Sequence, residues 1–209
     1  MLDVHPPHEP AHTWKDFFIH IATIVVGLLI AIGLEQTVEF FHHRHQANEA
    51  RDSIQRETAE NISVFRKNLQ RLSADQQQLT RNLDLLNSGA SDAEILPHLE
   101  YNWEILKIDE TAWEASKING SLALLPPSDI AYATYSYGST NDLTPTVFAY
   151  FTDIDTAGAL VSHARTAGRL TASERQQLET FTISAMGLDK LISHIYLFHI
   201  QALQSKSLR

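Results

Sequence analysis

Apolar residues along the chain form one unbroken run, followed by several stretches of helical periodicity. From Phe17 to Leu34 the sequence FFIHIATIVVGLLIAIGL continues for 18 residues without Asp, Glu, Lys or Arg. That is the length a helix needs to cross the hydrocarbon layer of a bilayer. Trp14 and Phe40 flank the run and would lie about 39 Å apart on a helix rising ~1.5 Å per residue, close to the ~40–45 Å of a bilayer with its headgroups. The pattern predicts a transmembrane anchor over residues 13–41. Trp14, Phe17, Phe18, Phe40 and Phe41 form its aromatic ends, and Thr13 serves as N-cap. Gly27 and Ala31 form a small-xxx-small pair that allows close approach of another helix. A cleavable signal peptide competes for the same run, because Ala31-Ile32-Gly33 has the small-x-small form. The first 16 residues, with Lys15 against Asp3, Glu9 and Asp16, carry the wrong charge for one. A buried core helix is the other competitor, and the run is longer than such helices need.

From Leu34 to Ser88 there is neither glycine nor proline, so the anchor helix is expected to continue as a stalk. Ile62, Phe65, Leu69, Leu72, Leu79, Leu83 and Leu86 follow three-four spacing, with Gln76 in the one polar slot, and Gly89 closes the helix. The flanking Arg66, Asn68, Ser73, Asp75, Thr80 and Asn82 carry few pairing charges, which favours an intramolecular bundle over a coiled-coil dimer. Downstream, Asp109 is expected to cap a short helix through Trp113 to Lys117 that stops at Gly120. Pro126 and Pro127 open another carrying Tyr132, Tyr135 and Tyr137. Thr144 and Pro145 are expected to start a further helix with Val147, Tyr150, Phe151, Ile154, Leu160 and Val161 on its apolar side, closed by Gly168. Thr171 and Glu174 form a capping box before a last helix over about 172–206, with Leu178, Phe181, Ala185, Leu188, Ile192 and Ile195 as its stripe. No segment alternates with period two, so no strand is predicted. The expected fold is all-α: a transmembrane helix continuing into a long stalk helix, with a C-terminal helical bundle. It comprises a disordered tail (1–12), the anchor (13–41) and a stalk-and-bundle domain (42–209).

Composition narrows the function classes. The chain of 209 residues carries 25 acidic and 16 basic residues, a formal charge of −9, so its field repels nucleic acid and none is expected as a partner. It has no cysteine, which excludes disulfides, thiolate metal sites and cysteine nucleophiles. The Lys and Arg near the anchor are Lys15 before it and Arg44 and Arg51 after it, and this count does not fix orientation. A short tail, an anchor and a large following domain match the arrangement of a signal anchor with an exported bulk. The soluble domain is accordingly expected on the extracytoplasmic, periplasmic side.

Each chemical candidate has a plainer reading beside it. His20, one turn into the run, sits near the interface and can remain a neutral imidazole. Glu39 and His43 are an i,i+4 pair that could share a metal, but His42-His43-Arg44-His45 fits better as a basic collar for lipid headgroups. His5, His8 and His12 lie among prolines in a solvated tail. Glu110 and Glu114 share a helix face and serve the helix dipole without chemistry, and Asp153 and Asp155 point to different sides of a helix. No nucleophile elbow, phosphate-binding glycine loop, zinc-helix or calcium-loop motif is present. No enzyme activity, catalytic residue, metal or cofactor is therefore expected. Trp103, Trp113, Tyr132 and Tyr135, in an aromatic concentration with Tyr101 and Tyr137, are candidates for a ligand cleft between helices, against core packing as the more frequent role of such rings.

Two blocks, WKDFFIHIATIVVGLLIAIGLEQTVE and TAWEASKINGSLALLPPSDIAYATYSY, resemble a loose group of small bacterial membrane-anchored proteins with an N-terminal anchor and a helical domain. The resemblance implies a single-pass protein of the bacterial inner membrane and supplies no catalytic residues. The sparse lysine before the anchor departs from that group. The leading expectation is a membrane-tethered interaction or scaffold protein, with the bilayer and a protein partner or second copy as its partners. The alternative is a sensor-like bundle that binds a small molecule in the aromatic cleft, and an enzyme built on Glu110 and Glu114 ranks last.

Overall fold

The computed structural model describes residues 14–206, and the side chains of all of these except 139–142 and 205–206. The tail 1–12, with His5, His8 and His12, and the Thr13 cap lie outside the described residues. The chain divides into two units, Met1–Glu49 and Ala50–Arg209. Helix α1 (Trp14–Asn87) belongs to both, in keeping with its freedom from glycine and proline after Gly33.

In the first unit every side chain from 14 to 45 is exposed. The apolar run lies in the one described helix long and apolar enough to cross a membrane, and no part of that window is buried. Its polar side chains turn back on their own helix: Thr23 donates to the Ile19 carbonyl at 2.9 Å, and His20 Nδ1 lies 2.8 Å from the Asp16 carbonyl. Local bonding of this kind satisfies a polar side chain within its own helix.

The second unit is a helical bundle. Its elements are the distal part of α1, the short α2 (Asp92–Ile95) with a following 3-10 turn, α3 (Thr111–Ile118), α4 (Pro127–Ala167) and α5 (Ala172–Lys206). Among the described residues there is no strand. One core joins Phe65, Leu72 and Leu79 of α1 to Leu143, Tyr150 and Ile154 of α4 and to Ala185, Ile192 and Tyr196 of α5. A second surrounds Leu86, Ile95, Leu99, Ala164 and Leu178. Each fully buried large apolar side chain contributes about 1.5–3 kcal/mol relative to exposure. The capping box forms as expected, with the Thr171 N–H donating to Glu174 at 2.8 Å and the Glu174 N–H to Thr171 at 3.2 Å.

Three local expectations need correction. Pro145 starts no helix: α4 begins at Pro127 and passes through it without ending. An internal proline costs about 3 kcal/mol, but Leu143 and Tyr150, on either side of it, are both buried in the core, and that packing outweighs the missing bond. The N-cap of α3 is Glu110 rather than Asp109, although Asp109 still accepts the Thr111 N–H at 3.0 Å. The α1 seam is also rotated. Phe65, Leu72, Leu79 and Leu86 are buried, but Ile62, Leu69 and Leu83 are only half-buried, and Asn61, Asn68 and Asn82 are buried instead.

Candidate functional site

The buried asparagines explain that rotation. Residues 99–110 form an extended strap without helix, and α1 holds it through side chains spaced seven apart. Asn82 donates to the Glu100 carbonyl at 2.5 Å and accepts the Glu100 N–H at 3.2 Å. Asn68 does the same with Leu106 at 3.0 and 2.8 Å, and Asn61 with Asp109 at 2.7 and 3.0 Å. A carboxamide presents one donor and one acceptor side by side, so it pairs with a residue's N–H and C=O as a neighbouring strand would. The spacings agree with antiparallel running. Helix α1 rises ~21 Å from Asn68 to Asn82 while six extended residues cover ~20 Å, and seven helical residues match three extended ones over ~10 Å.

One turn before Asn61, four residues toward the N-terminus, the buried Glu57 continues the same side of α1. It accepts the N–H groups of Ala112 and Trp113 at 2.6 and 3.3 Å, capping α3, and the Tyr137 hydroxyl at 2.5 Å. Burial, reinforced by this carboxylate, pushes the Tyr137 hydroxyl pKa upward.

The position between Asn68 and Asn82 is Asp75, and an ionised carboxylate cannot donate to a carbonyl. Instead it accepts the Tyr150 hydroxyl at 3.1 Å. Asp189 of α5, 2% exposed, belongs to the same polar node: Ser193 donates to its Oδ1 at 3.4 Å, while its Oδ2 is buried without a partner. Burial, then the nearby Asp75 charge, pushes the Asp189 carboxyl up to about 7. Burial also raises Asp75 and, with the Asp75 charge, Tyr150. All three long helices thus contribute a side chain to one buried polar node.

Beside the strap lies a half-open apolar cavity of about 380 Å³. Leu106 and Ile108 of the strap, Val147, Phe148 and Phe151 of α4 and Tyr196 of α5 wall it, and Lys107, Glu110 and Thr144 add polar groups. A groove of about 390 Å³ shares Lys107, Ile108 and Glu110 and adds Asp109, Thr111 and Glu114. A third, more polar cavity of about 610 Å³ lies where the strap passes α4 at Gly158, with Glu100, Asp155 and Arg165 among its walls.

The four aromatic candidates line none of these cavities. Trp103 stacks on Phe151 with centroids 3.7 Å apart and donates its Nε1–H to Asp155 at 2.8 Å. Trp113 stacks on Tyr137 at 5.1 Å, with Lys117 over its ring at 5.3 Å. Tyr132 and Tyr135 are half-buried on α4, and Tyr135 meets the His199 ring edge to face at 6.0 Å. Of the anchor residues, Trp14, Phe17 and Phe18 form one aromatic group with centroids 5.7–5.8 Å apart, and Phe40 and Phe41 pair at 5.7 Å. Gly27 and Ala31 are exposed on the same helix. His43 lies 3.9 Å from Glu39, and His45 lies 3.2 Å from Glu49. Glu114 pairs with Lys117 at 2.5 Å. Among the described residues no three His, Asp or Glu side chains converge as a metal site.

The strap contacts draw on α1 and on residues 18 to 48 positions away, and sequence reading missed them. The signal was present as Asn61, Asn68, Asp75 and Asn82 at strict seven-residue spacing. A second unexpected feature is the outer face of α5, where Ile183, Leu191, Leu197 and Phe198 are 47–58% exposed.

No protein-family model matches the chain, and no curated protein or solved structure is similar to it.

Proposed function

We propose that this chain is a single-pass protein of a bacterial inner membrane, with an extracytoplasmic helical bundle that acts as an interaction module by pairing with a second copy of itself. The observation that carries the reading is the α5 face. Ile183, Gly187, Leu191 and Phe198 follow at spacings of four, four and seven, which puts them on one side of the helix. Four of the seven large apolar side chains exposed in the second unit among the described residues belong to α5. A glycine inside a helix costs about 1 kcal/mol relative to alanine, yet a Cβ at Gly187 meets nothing within 4 Å. The unit's own packing does not require the glycine, whereas close approach of another helix does. A second copy is the favoured occupant because an anchor concentrates copies in one plane, where a modest apolar contact suffices.

The exposed apolar window of α1 supports the anchor, since exposing such a surface to water is unfavourable at about 25 cal/mol per Å². The natural chain has no cysteine, so single cysteines report without background. Leu191→Cys is expected to form disulfide-linked dimers in native membranes, whereas Ser162→Cys on the exposed side of α4 remains monomeric. Equal cross-linking of the two variants, or recovery of the chain in the aqueous fraction of gently lysed cells, overturns the proposal. Labelling of Ser162→Cys in intact cells by a membrane-impermeant maleimide reads the orientation, with labelling expected for an exported bundle.

A further inference from the structure

The geometry points to a binding site for a lipophilic cation, an aromatic or apolar body carrying one positive centre, in the cavity between the strap, α4 and α5. This site is separate from the α5 face and does not depend on it.

Size and lining set the body of the ligand. A cavity of about 380 Å³ lies within the range of small-molecule sites, which are mainly apolar with few polar groups. Its walls are fixed from both sides. The Asn68 carboxamide holds both the N–H and C=O of Leu106, and Asn61 holds those of Asp109. On the far side Tyr196 is 3% exposed and packs against Phe65 with the rings tilted by 38° and their centroids 5.1 Å apart. A site whose walls are already ordered spends little of its binding energy on ordering them.

The sign of the ligand follows from the polar groups. Glu110 is half-buried, lines both the cavity and the adjoining groove, and its side chain has no hydrogen bond or ion pair among the described residues. The groove adds Asp109, which accepts from Thr111, and Glu114, which is already paired with Lys117, so Glu110 carries the charge the ligand would meet. The one basic residue of the two linings, Lys107, is exposed, and its long flexible stem can hold its charge in water. The Phe148 ring, 71% exposed in the lining, offers a face that attracts a cation and not an anion, whereas one face of Phe151 is already covered by Trp103, and the net charge of −9 favours the same sign.

Three fluorescent probes of similar size distinguish charge from hydrophobicity: cationic ethidium, neutral N-phenyl-1-naphthylamine and anionic 8-anilinonaphthalene-1-sulfonate. The full chain in nanodiscs of zwitterionic lipid is titrated with each, with protein-free nanodiscs as the blank. Ethidium is expected to saturate at one per chain. Glu110→Gln is expected to weaken ethidium about tenfold, the loss of one charge interaction of about 1.4 kcal/mol, and to leave the neutral probe unchanged. Val147→Trp, which fills the cavity, removes saturable binding. Phe148→Ala changes a side chain 71% exposed, leaves the fold intact and weakens ethidium, so it decides the matter if Val147→Trp does not fold. No ethidium signal above the blank, or ethidium binding unaltered in Phe148→Ala and Val147→Trp, overturns the site. Equal sensitivity of all three probes to Glu110→Gln, or tighter binding of the anionic probe, overturns its charge preference.

Discussion

Replacing Asp189 by asparagine tests whether the core of the bundle holds a proton. Folding raises this carboxyl from its ordinary 3.8 to about 7, so the folded state binds the proton more tightly than the unfolded chain. Below about pH 4 both states hold it. As pH rises the unfolded chain releases its proton first, so this group's contribution shifts against folding from about pH 4 to about pH 7 and is constant above that. A difference of about 3 in pKa, at about 1.4 kcal/mol each, corresponds to ~4 kcal/mol lost between pH 4 and pH 8. The groups facing Asp189 act in opposite directions: Asp75 of α1 raises it, while Ser193 and Lys190 of its own helix lower it. Tyr150 of α4 feels both aspartates. The Asp189→Asn protein has no ionisable group at this position, although the new amide N–H groups need acceptors, which takes back about 1–2 kcal/mol. The expected result is a gain of ~2 kcal/mol at pH 8, a small loss at pH 4.5 and a flatter profile between. Guanidinium unfolding of the full chain in micelles, followed by tryptophan fluorescence from about pH 4.5 to 8, measures the difference between the two proteins. Parallel profiles for both proteins refute the assignment of the proton to Asp189.

Three further changes probe the framework around that node. Asn68→Leu leaves the N–H and C=O of Leu106 without their partner and is expected to cost about 2–4 kcal/mol, with faster amide exchange along the strap; a loss under ~0.5 kcal/mol denies the rung its role. Gly158→Ala is expected to stabilise α4 by about 0.5–1 kcal/mol, because its Cβ meets Tyr101 only at ordinary distances of 3.6 and 3.7 Å, and thermal unfolding reads the sign. Tyr137→Phe removes the hydroxyl bond to Glu57 and is expected to cost about 1–2 kcal/mol. The ring stack on Trp113 should persist, so the near-ultraviolet circular dichroism band of the tryptophan should not change.

What the sequence revealed and what it concealed follow from the range of the interactions. The Thr171 and Glu174 box, the Pro127 start and the Gly168 stop of α4 are decided within one turn, and each was legible. Gly168 sits at φ +69°, the left-handed geometry that glycine adopts without strain. Pro145 defeats the local rule because its penalty is settled elsewhere, by burial of Leu143 and Tyr150 against α1 and α5. Half of the α1 seam, Phe65, Leu72, Leu79 and Leu86, is buried as read, and the other half gives way to asparagines for a related reason. Apolar three-four spacing marks the side of a helix that meets other apolar side chains, but a helix that meets backbone needs amides there. Asn61, Asn68 and Asn82 are polar in composition and buried in function, and a pattern scored on hydrophobicity places them outside. The aromatic candidates illustrate the converse. Trp103, Trp113 and Tyr135 cluster in sequence but find separate ring partners in space, and Tyr132 packs against the first core. The cavity walls come from residues around 106, 147 and 196, a combination that exists only after the strap is laced to α1. Seven-residue recurrence of Asn and Asp is therefore the sequence signal to weigh in a long amphipathic helix. Where the recurring residue changes from Asn to Asp, as at position 75, an extended neighbour loses its rung and the carboxylate must find another donor, here the Tyr150 hydroxyl.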